Sequence, residues 1–427
     1  MNMKDSGVKW IGSIPENWSV QRVKHAFVRK NEKAMQDEPV VLSLARSGVK
    51  IRDISNNEGQ IAESYYNYNP VEEGDLLLNP MDLYSGANCS VSKVNGVISP
   101  AYINLRSKEG YSARFYDYYF KLQYWMMTFF AYGKGVSFDN RWTMSVETLM
   151  NYPIVALDYA EQCRRANYLD DKCSKIDALV EKQQAVIDKL KKYKESFVTE
   201  VVTRGLNISG EMKNSGIKEI GSIPSHWEIV KLKFLLSCII DCPHETPNYV
   251  NNGEYLVIRT ADQDYGALRS DDNMYRLDKD EYKNRIRRMS LNKDDIVYGR
   301  EGERWGLACL VPKNNKYCLG QRMMQFRCKK DRILPEFAVW ALNSKNVYLQ
   351  GSYDTLGSTS PHVNISTMRN YAIPVPPIEE QEEIVADING KMKKIDSIIE
   401  QKETLIDNLN TYKKSLIYEV VTGKREV

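Results

Sequence analysis

Two stretches of the chain carry seam residues spaced alternately three and four apart. Ile176, Leu179, Gln183, Val186, Leu190, Tyr193 and Phe197 form the first. Ile395, Ile398, Lys402, Leu405, Leu409, Tyr412 and Leu416 repeat it slot for slot. Lys and Glu fill the outward positions. This is a heptad seam, and it predicts helices that wrap around a partner helix. Gln183 and Lys402 share one slot, where a polar residue helps to fix register. Each stretch suffices for a helix of about 40 residues, or about 60 Å of length. Neither helix can bury its stripe alone. The economical arrangement packs one against the other, antiparallel, because a whole domain separates them in sequence. The competing arrangement is two ordinary amphipathic helices, each lying on its own domain.

The pattern ahead of each helical stretch is different. Both blocks read as mixed α/β. Each opens with an Ile-Pro-x-x-Trp turn and an amphipathic stretch through Val23 and Phe27, or Leu232 and Leu235. Short β-rich runs follow at 40–44, 76–78 and 97–105 in the first block. In the second they fall at 255–259, 296–298, 307–311 and 323–327, punctuated by Gly, Asn and Asp. Helical patterns come later, at 115–130 and 335–349. The exits carry proline, at Pro153 and at Pro374, Pro376 and Pro377, which marks the turn into the long helix.

The two blocks and their helices are copies of one plan. Residues 6–24 return at 215–233 with 10 of 19 positions identical, an offset of 209. Residues 161–203 return at 380–422 with 17 of 43 identical, an offset of 219. Between these anchors Asp75, Gly86 and Cys89 fall on Asp295, Gly306 and Cys309, and Asn151-Tyr152 on Asn370-Tyr371. An internal repeat of this length describes duplicated domains. The fold expected is therefore α/β (α+β), with two copies of one domain separated by two long antiparallel coiled-coil helices and related by a pseudo-two-fold axis. Such a rod would hold two modules a set distance apart, as half-sites on one face of DNA require.

Candidate contact residues come from loops. In residues 299–306, glycines allow close backbone approach, and Arg300 and Arg304 have the length to meet a phosphate or a guanine edge. The loop reads equally well as a plain hairpin turn with solvated arginines. Its counterpart at 79–86, which includes Tyr84, keeps the frame and changes nearly every side chain. Further candidates are Arg46, Ser47, Lys50 and Arg52 after the first long strand, with Arg259 and Thr260 at the matching place. Asn140 and Arg141, and Ser358, Thr359 and His362, precede the closing segments, and Gln321 and Arg322 lie at a strand start. The run from Arg285 to Arg288 reads as a phosphate-facing or merely solvated patch.

Composition narrows the class. The net charge of +3 permits nucleic acid as a partner without arguing for it. A mean hydropathy of -0.50 and the lack of a long apolar run argue against a membrane span. Eight cysteines without a Cys-x-x-Cys pair, and an opening without an export pattern, predict a cytoplasmic protein. No phosphate-binding glycine loop, dinucleotide fingerprint, methyltransferase motif or nuclease motif stands out, so no catalytic residue is nominated. Cys238, Cys242 and His244 carry metal-capable atoms but make a poor zinc site, lacking a fourth ligand. A large duplicated chain without an active site reads as a recognition or scaffold part. The alternatives are a non-catalytic coiled-coil scaffold with two globular protein-binding modules, and an enzyme with an unseen motif.

The sequence resembles the specificity subunits of type I restriction-modification systems. Ile14-Pro-x-x-Trp18 and Ile223-Pro-x-x-Trp227 carry the likeness, with the exit from Pro374 through Glu379, Glu380 and Gln381 to Ile384 and Val385, and the Val-Val-Thr-Gly end at 420–423. The first exit, 153–162, lacks the extra prolines and the Ile-Val pair. The resemblance covers essentially the whole chain. It implies target-recognition domains at 1–157 and 206–378 and helical regions at 158–205 and 379–427. It also implies a bipartite site on double-stranded DNA. The partners implied are two modification subunits, which bind S-adenosylmethionine and methylate adenine N6, and in some assemblies two restriction subunits using ATP and Mg. No cofactor is expected on this chain. The helical regions would also dock the modification subunits.

Overall fold

The computed structural model describes residues 2–53, 62, 64–81, 83, 84, 86, 88–135, 142–207, 209–355 and 361–427. Contacts divide the chain into two units, Met1–Gln183 with Thr404–Val427, and Gln184–Glu403. Each of the two long helices contributes one segment to each unit.

In the first unit the opening segment folds as a hairpin, Met3–Asp5 against Ser13–Pro15. The strand after the turn, Ser19–Arg22, pairs with the exit strand Pro153–Ala156. Proline is tolerated there because the ladder has only two strands and leaves an edge free. The main sheet is four-stranded and antiparallel, in the order Phe27–Lys30, Ile103–Ser107, Leu76–Leu78, Cys89–Val91. Leu76, Leu77 and Leu78 are all buried, so both faces of that strand are covered. The helix Ala113–Trp125 starts where the Ser112 side chain accepts the Phe115 N–H, and it buries Phe115, Tyr116, Tyr119 and Phe120.

The run expected as one strand at 97–105 is two strands, Gly96–Ile98 and Ile103–Ser107. Pro100 has no N–H for a ladder, and the turn closes with Tyr102 N–H on the Ser99 carbonyl at 3.0 Å. The helix expected at 335–349 is likewise two, Pro335–Leu342 and Lys345–Ser352. Ser344 stops the first and caps the second by accepting the Val347 N–H.

The second unit repeats the frame. Met212–Asn214 pairs with Ser222–Pro224, and Glu228–Lys231 with Ala372–Val375. Its four-stranded antiparallel sheet runs Leu236–Asp241, Met323–Cys328, Ile296–Gly299, Ala308–Leu310. This strand order matches that of the first unit, element for element. A separate three-stranded sheet orders Tyr275–Leu277, Tyr255–Ile258 and Tyr317–Leu319, the last two parallel.

The residues that survive between the copies hold this frame. Asp75 accepts the Glu72 N–H at 2.8 Å and the Arg106 Nε–H at 2.9 Å. Asp295 does the same with Asn292, at 2.7 Å, and with Arg327, at 2.7 Å. Each carboxylate closes the turn into a strand and ties it to its neighbour. Gly86 and Gly306 turn at φ of 105° and 90°, where an L side chain is strained. Cys89 and Cys309 are buried.

The long helices are Tyr159–Arg204 and Ile378–Val421, of 46 and 44 residues. Within the first unit, Asp177 faces Lys413 at 2.6 Å; within the second, Lys194 faces Asp396 at 2.6 Å. The early part of one helix thus meets the late part of the other, which is antiparallel pairing. The Ile-Pro-x-x-Trp turns dock on the helix starts: Trp18 donates its indole N–H to Glu161 at 3.4 Å, and Trp227 to Glu380 at 2.9 Å.

The buried stripe follows a neighbouring phase of the heptad. Ile176, Ile187 and Phe197 are buried, with Val180, Gln183, Leu190 and Lys194 half-buried between them. Met392, Ile395, Ile399 and Leu416 are buried on the other helix, with Lys402, Ile406, Leu409 and Lys413 half-buried. Leu179, Tyr193, Ile398, Leu405 and Tyr412 are instead 41–52% exposed, and Val186 is half-buried. Apolar doublets, Leu179-Val180, Val186-Ile187, Ile398-Ile399 and Leu405-Ile406, offer two phases of the three-four pattern. The helices use the second, which also brings Lys194 and Lys413 to their carboxylates.

Candidate nucleic-acid interface

In the second unit several loops meet at one end of the four-stranded sheet. The Arg300 N–H donates to the Arg322 carbonyl at 3.0 Å, and the Arg300 carbonyl accepts the Val363 N–H at 3.2 Å. Gly302 N–H reaches the Pro361 carbonyl at 2.9 Å, and Cys242 N–H the Met323 carbonyl at 3.2 Å. Thr246 donates its hydroxyl to Gln321 Oε1 at 2.8 Å. Four candidates far apart in sequence, Arg300, Gln321, Arg322 and His362, are thereby gathered on one edge. Arg259 joins them, since Gly320 N–H bonds the Ile258 carbonyl at 2.8 Å.

The charges at this edge differ in their freedom. Arg259 forks onto Asp262 at 2.8 and 2.7 Å and lies 3.7 Å above the Tyr275 ring; the Asp262 partnership holds its pKa above the usual guanidinium value. Arg300 is held by Asp241, at 3.4 Å, and by Glu301. Arg304 donates to the Gln263 carbonyl at 2.6 Å. Thr260 begins the tight turn Thr260–Asp262 and is half-buried. Gln321 is half-buried, and Arg322 and His362 are exposed. Ser358 and Thr359 lie outside the described residues.

Two sequence readings change here. Arg285 is not on a solvated or phosphate-facing patch. It is 5% exposed and clamps the carbonyls of Glu245, Pro243 and Leu319 at 2.8–3.1 Å, and Arg288 likewise binds the Asp241 carbonyl. Cys238 lies against Met289, with sulfurs 3.4 Å apart, while Asp241, Cys242 and His244 bring ligand atoms within 4.8 Å of one another. Arg300 and His244 already occupy the Asp241 carboxylate, at 3.4 and 2.8 Å, and burial pushes the Cys242 thiol up to about 11. A fixed guanidinium charge at that carboxylate disfavours a cation.

In the first unit Arg46 and Ser47 form the exposed tip of the hairpin Leu42–Ala45/Gly48–Ile51. A Cβ on Gly86 would lie 3.9 Å from Arg46 Nε, so the tip meets the loop that matches residues 299–306. Lys50 is exposed on the returning strand, and Arg52 follows it, half-buried. Tyr84 is 65% exposed, edge-on to Phe130. Asn140 and Arg141 lie outside the described residues. A groove of about 1270 Å³ runs from Arg46 and Ser47 past Lys93 to Arg114, Lys121 and Lys413. Asp170, Asp117 and Asp177 pair with the last three cations.

A family model for the type I restriction modification DNA specificity domain matches residues 224–411, which contain this loop cluster. Over 97% of the chain the sequence is 23% identical to the type I restriction enzyme MjaVIII specificity subunit of Methanocaldococcus jannaschii, covering 94% of that protein. Over nearly its whole length the chain is similar to type I specificity subunits.

Two solved structures share the fold. A chain from a structure of the type I R-M system superposes with a TM-score of 0.70 at 13% identity, covering 96% of this chain and 98% of that one. The HsdS subunit of Thermoanaerobacter tengcongensis gives 0.51 at 14% identity, with 96% and 98% covered. Among the described residues no helix is long and apolar enough to cross a membrane.

Proposed function

We propose that this chain is a type I specificity subunit that reads a bipartite site on double-stranded DNA and positions methyltransferase subunits on it, doing no chemistry itself. The observation that carries the reading is the repeated sheet. Both units order their four strands identically, and the loops at matching places differ in nearly every side chain. A constant frame with variable loops is what two modules need in order to read different bases by direct contact.

In this reading the recognition domains are residues 1–157 and 206–378, and the helical regions are 158–205 and 379–427. The two halves are related by a pseudo-two-fold axis and spaced by the paired helices. The DNA-contacting set includes Arg46, Ser47, Lys50 and Tyr84 from the first domain, and Gln321, Arg322 and His362 from the second. Arg259, Arg300 and Arg304 act by shaping the loops that carry these. The exposed residues Leu179, Tyr193, Ile398, Leu405 and Tyr412 offer an apolar stripe to two modification subunits. S-adenosylmethionine, ATP and Mg belong to the partner subunits, and the complex works in the cytoplasm. Restriction subunits join through the same core.

The test is to produce the chain with its modification subunits and map methylated adenines genome-wide. A split motif is expected. Exchanging residues 1–157 for the matching domain of another specificity subunit should change one half of that motif. Altered bases in both halves, or in neither, would contradict the reading.

A further inference from the structure

We propose that Arg322 is the side chain with which the second unit reads a guanine. This rests on the DNA-recognition reading above and adds a residue and a base to it.

The first support is that most arginines at this end are already bound. Arg259, Arg285, Arg288, Arg300 and Arg304 all lie at this end of the unit, and each is bound to a carboxylate or a backbone carbonyl of the protein. A base could recruit one of them only by breaking those contacts and leaving a partly buried acceptor unpaired. Arg322 is exposed, and among the described residues its guanidinium meets no acceptor. Its five donors are free for a bidentate contact with guanine O6 and N7.

The second support is how its backbone is held. The Arg322 carbonyl accepts the Arg300 N–H, and the next residue, Met323, accepts the Cys242 N–H. Arg300 is itself fixed by Asp241 and Glu301. Arg300 is therefore a positioning residue. It spends its charge inside the protein and stiffens the base of the arginine that reaches out.

The third support is the contrast between copies. Asn104 and Gln325 bind Asp75 and Asp295, as do Arg106 and Arg327, so Ile103–Ser107 and Met323–Cys328 align. On that alignment the place of Arg322 is held by Ala101 in the first unit. One frame thus presents a guanidinium in one copy and a methyl group in the other, as expected where two copies read different bases.

The experiment uses the complete methyltransferase complex carrying Arg322→Ala or Arg322→Lys. Methylated sites are mapped, and binding is measured to the cognate duplex and to duplexes changed at each position. Both variants should lose discrimination at one G·C pair of one half-site by roughly 5- to 150-fold, with the other half unchanged. Lysine should retain more of the overall affinity, because it keeps the charge without the fork. An unchanged motif in both variants overturns the proposal. So does a loss uniform over all sequences that lysine restores, which marks a phosphate contact. Misfolding of the lysine variant, seen as a large fall in melting temperature, also overturns it, since an exposed side chain without a partner among the described residues has no structural task there. A wild-type complex with no sequence preference would fail the recognition reading instead.

Discussion

Lys194 Nζ lies 2.6 Å from Asp396 Oδ1, and the residues 219 places away along the chain make the same contact, Lys413 with Asp177 at 2.6 Å. The offset is that of the helical repeat, so the duplication preserves a cross-helix pair as well as a sequence. The two carboxylates are more than half exposed. A pair so placed contributes little stability, because water and salt screen it and two long side chains must be ordered to form it. Its role is to fix which residues face each other. A double-mutant cycle on Asp177→Ala and Lys413→Ala, followed by urea unfolding, should give a coupling below about 1 kcal/mol. A coupling above about 2 kcal/mol would mean that the pair is buried.

Arg165 is a different kind of charge. It is 1% exposed, sits 4.8 Å above the Trp18 ring, pairs with Glu161 at 2.7 Å and donates to the carbonyls of Val420 and Arg425 at 2.9 Å. Burial lowers its pKa, and Glu161 opposes that shift. Removing it strands one carboxylate and two carbonyls in a dry site. Arg165→Ala should destabilise the first unit by about 3–5 kcal/mol. The repeat places Ile384 at the same slot, fully buried. Glu161→Gln combined with Arg165→Ile should therefore recover part of the loss. A denaturation midpoint that Arg165→Ala leaves unmoved would refute the role.

Burial pushes the Cys309, Cys318 and Cys328 thiols up to about 12. The thiolate is the reactive species, so these sites should resist alkylation at pH 8 until the unit opens, whereas the half-buried Cys163 should label first. The linked stability has a definite sign. These groups have folded-state values raised above the ordinary 9.0. Their contribution is fully present below that value and is lost as pH rises through about 12. Mass spectrometry of a timed alkylation would check the order; early labelling of Cys309 would contradict it.

How far these features were legible in the sequence differs by level. The repeat and the heptads gave the long helices, their antiparallel pairing and the common frame, because period and identity survive along the chain. The phase of the seam was not legible. Leu179-Val180 and Ile398-Ile399 satisfy either phase, and only the three-dimensional partner of Lys194 and Lys413 selects one. Element ends were displaced where a proline or a serine cap intervened, a strand at Pro100 and a helix at Ser344. The loop candidates came from residue type, which cannot tell a free guanidinium from a bound one. Arg300, Arg304 and Arg322 look alike in sequence. They differ only in the carboxylates and carbonyls brought to them from Asp241, Gln263 and Glu301.

The exposed positions of the heptads lead to a last prediction. Leu179 and Ile398, and Tyr193 and Tyr412, are pairs 219 apart that stand exposed by 41–52%. Leu405 is 42% exposed, and its counterpart Val186 is half-buried. An apolar side chain this exposed adds little to the fold of its own chain, and Leu179 and Leu405 stand open to a partner. Leu179→Glu and Leu405→Glu should each shift stability by no more than about 0.5 kcal/mol. Ile187→Ala, in the buried stripe, should cost about 2–5 kcal/mol. The glutamate variants should nevertheless lose modification subunits, seen as lower-mass species in native mass spectrometry of the co-purified complex. If Leu179→Glu unfolds the chain as readily as Ile187→Ala, the seam runs through Leu179 after all. If it leaves both stability and assembly intact, partner subunits dock elsewhere.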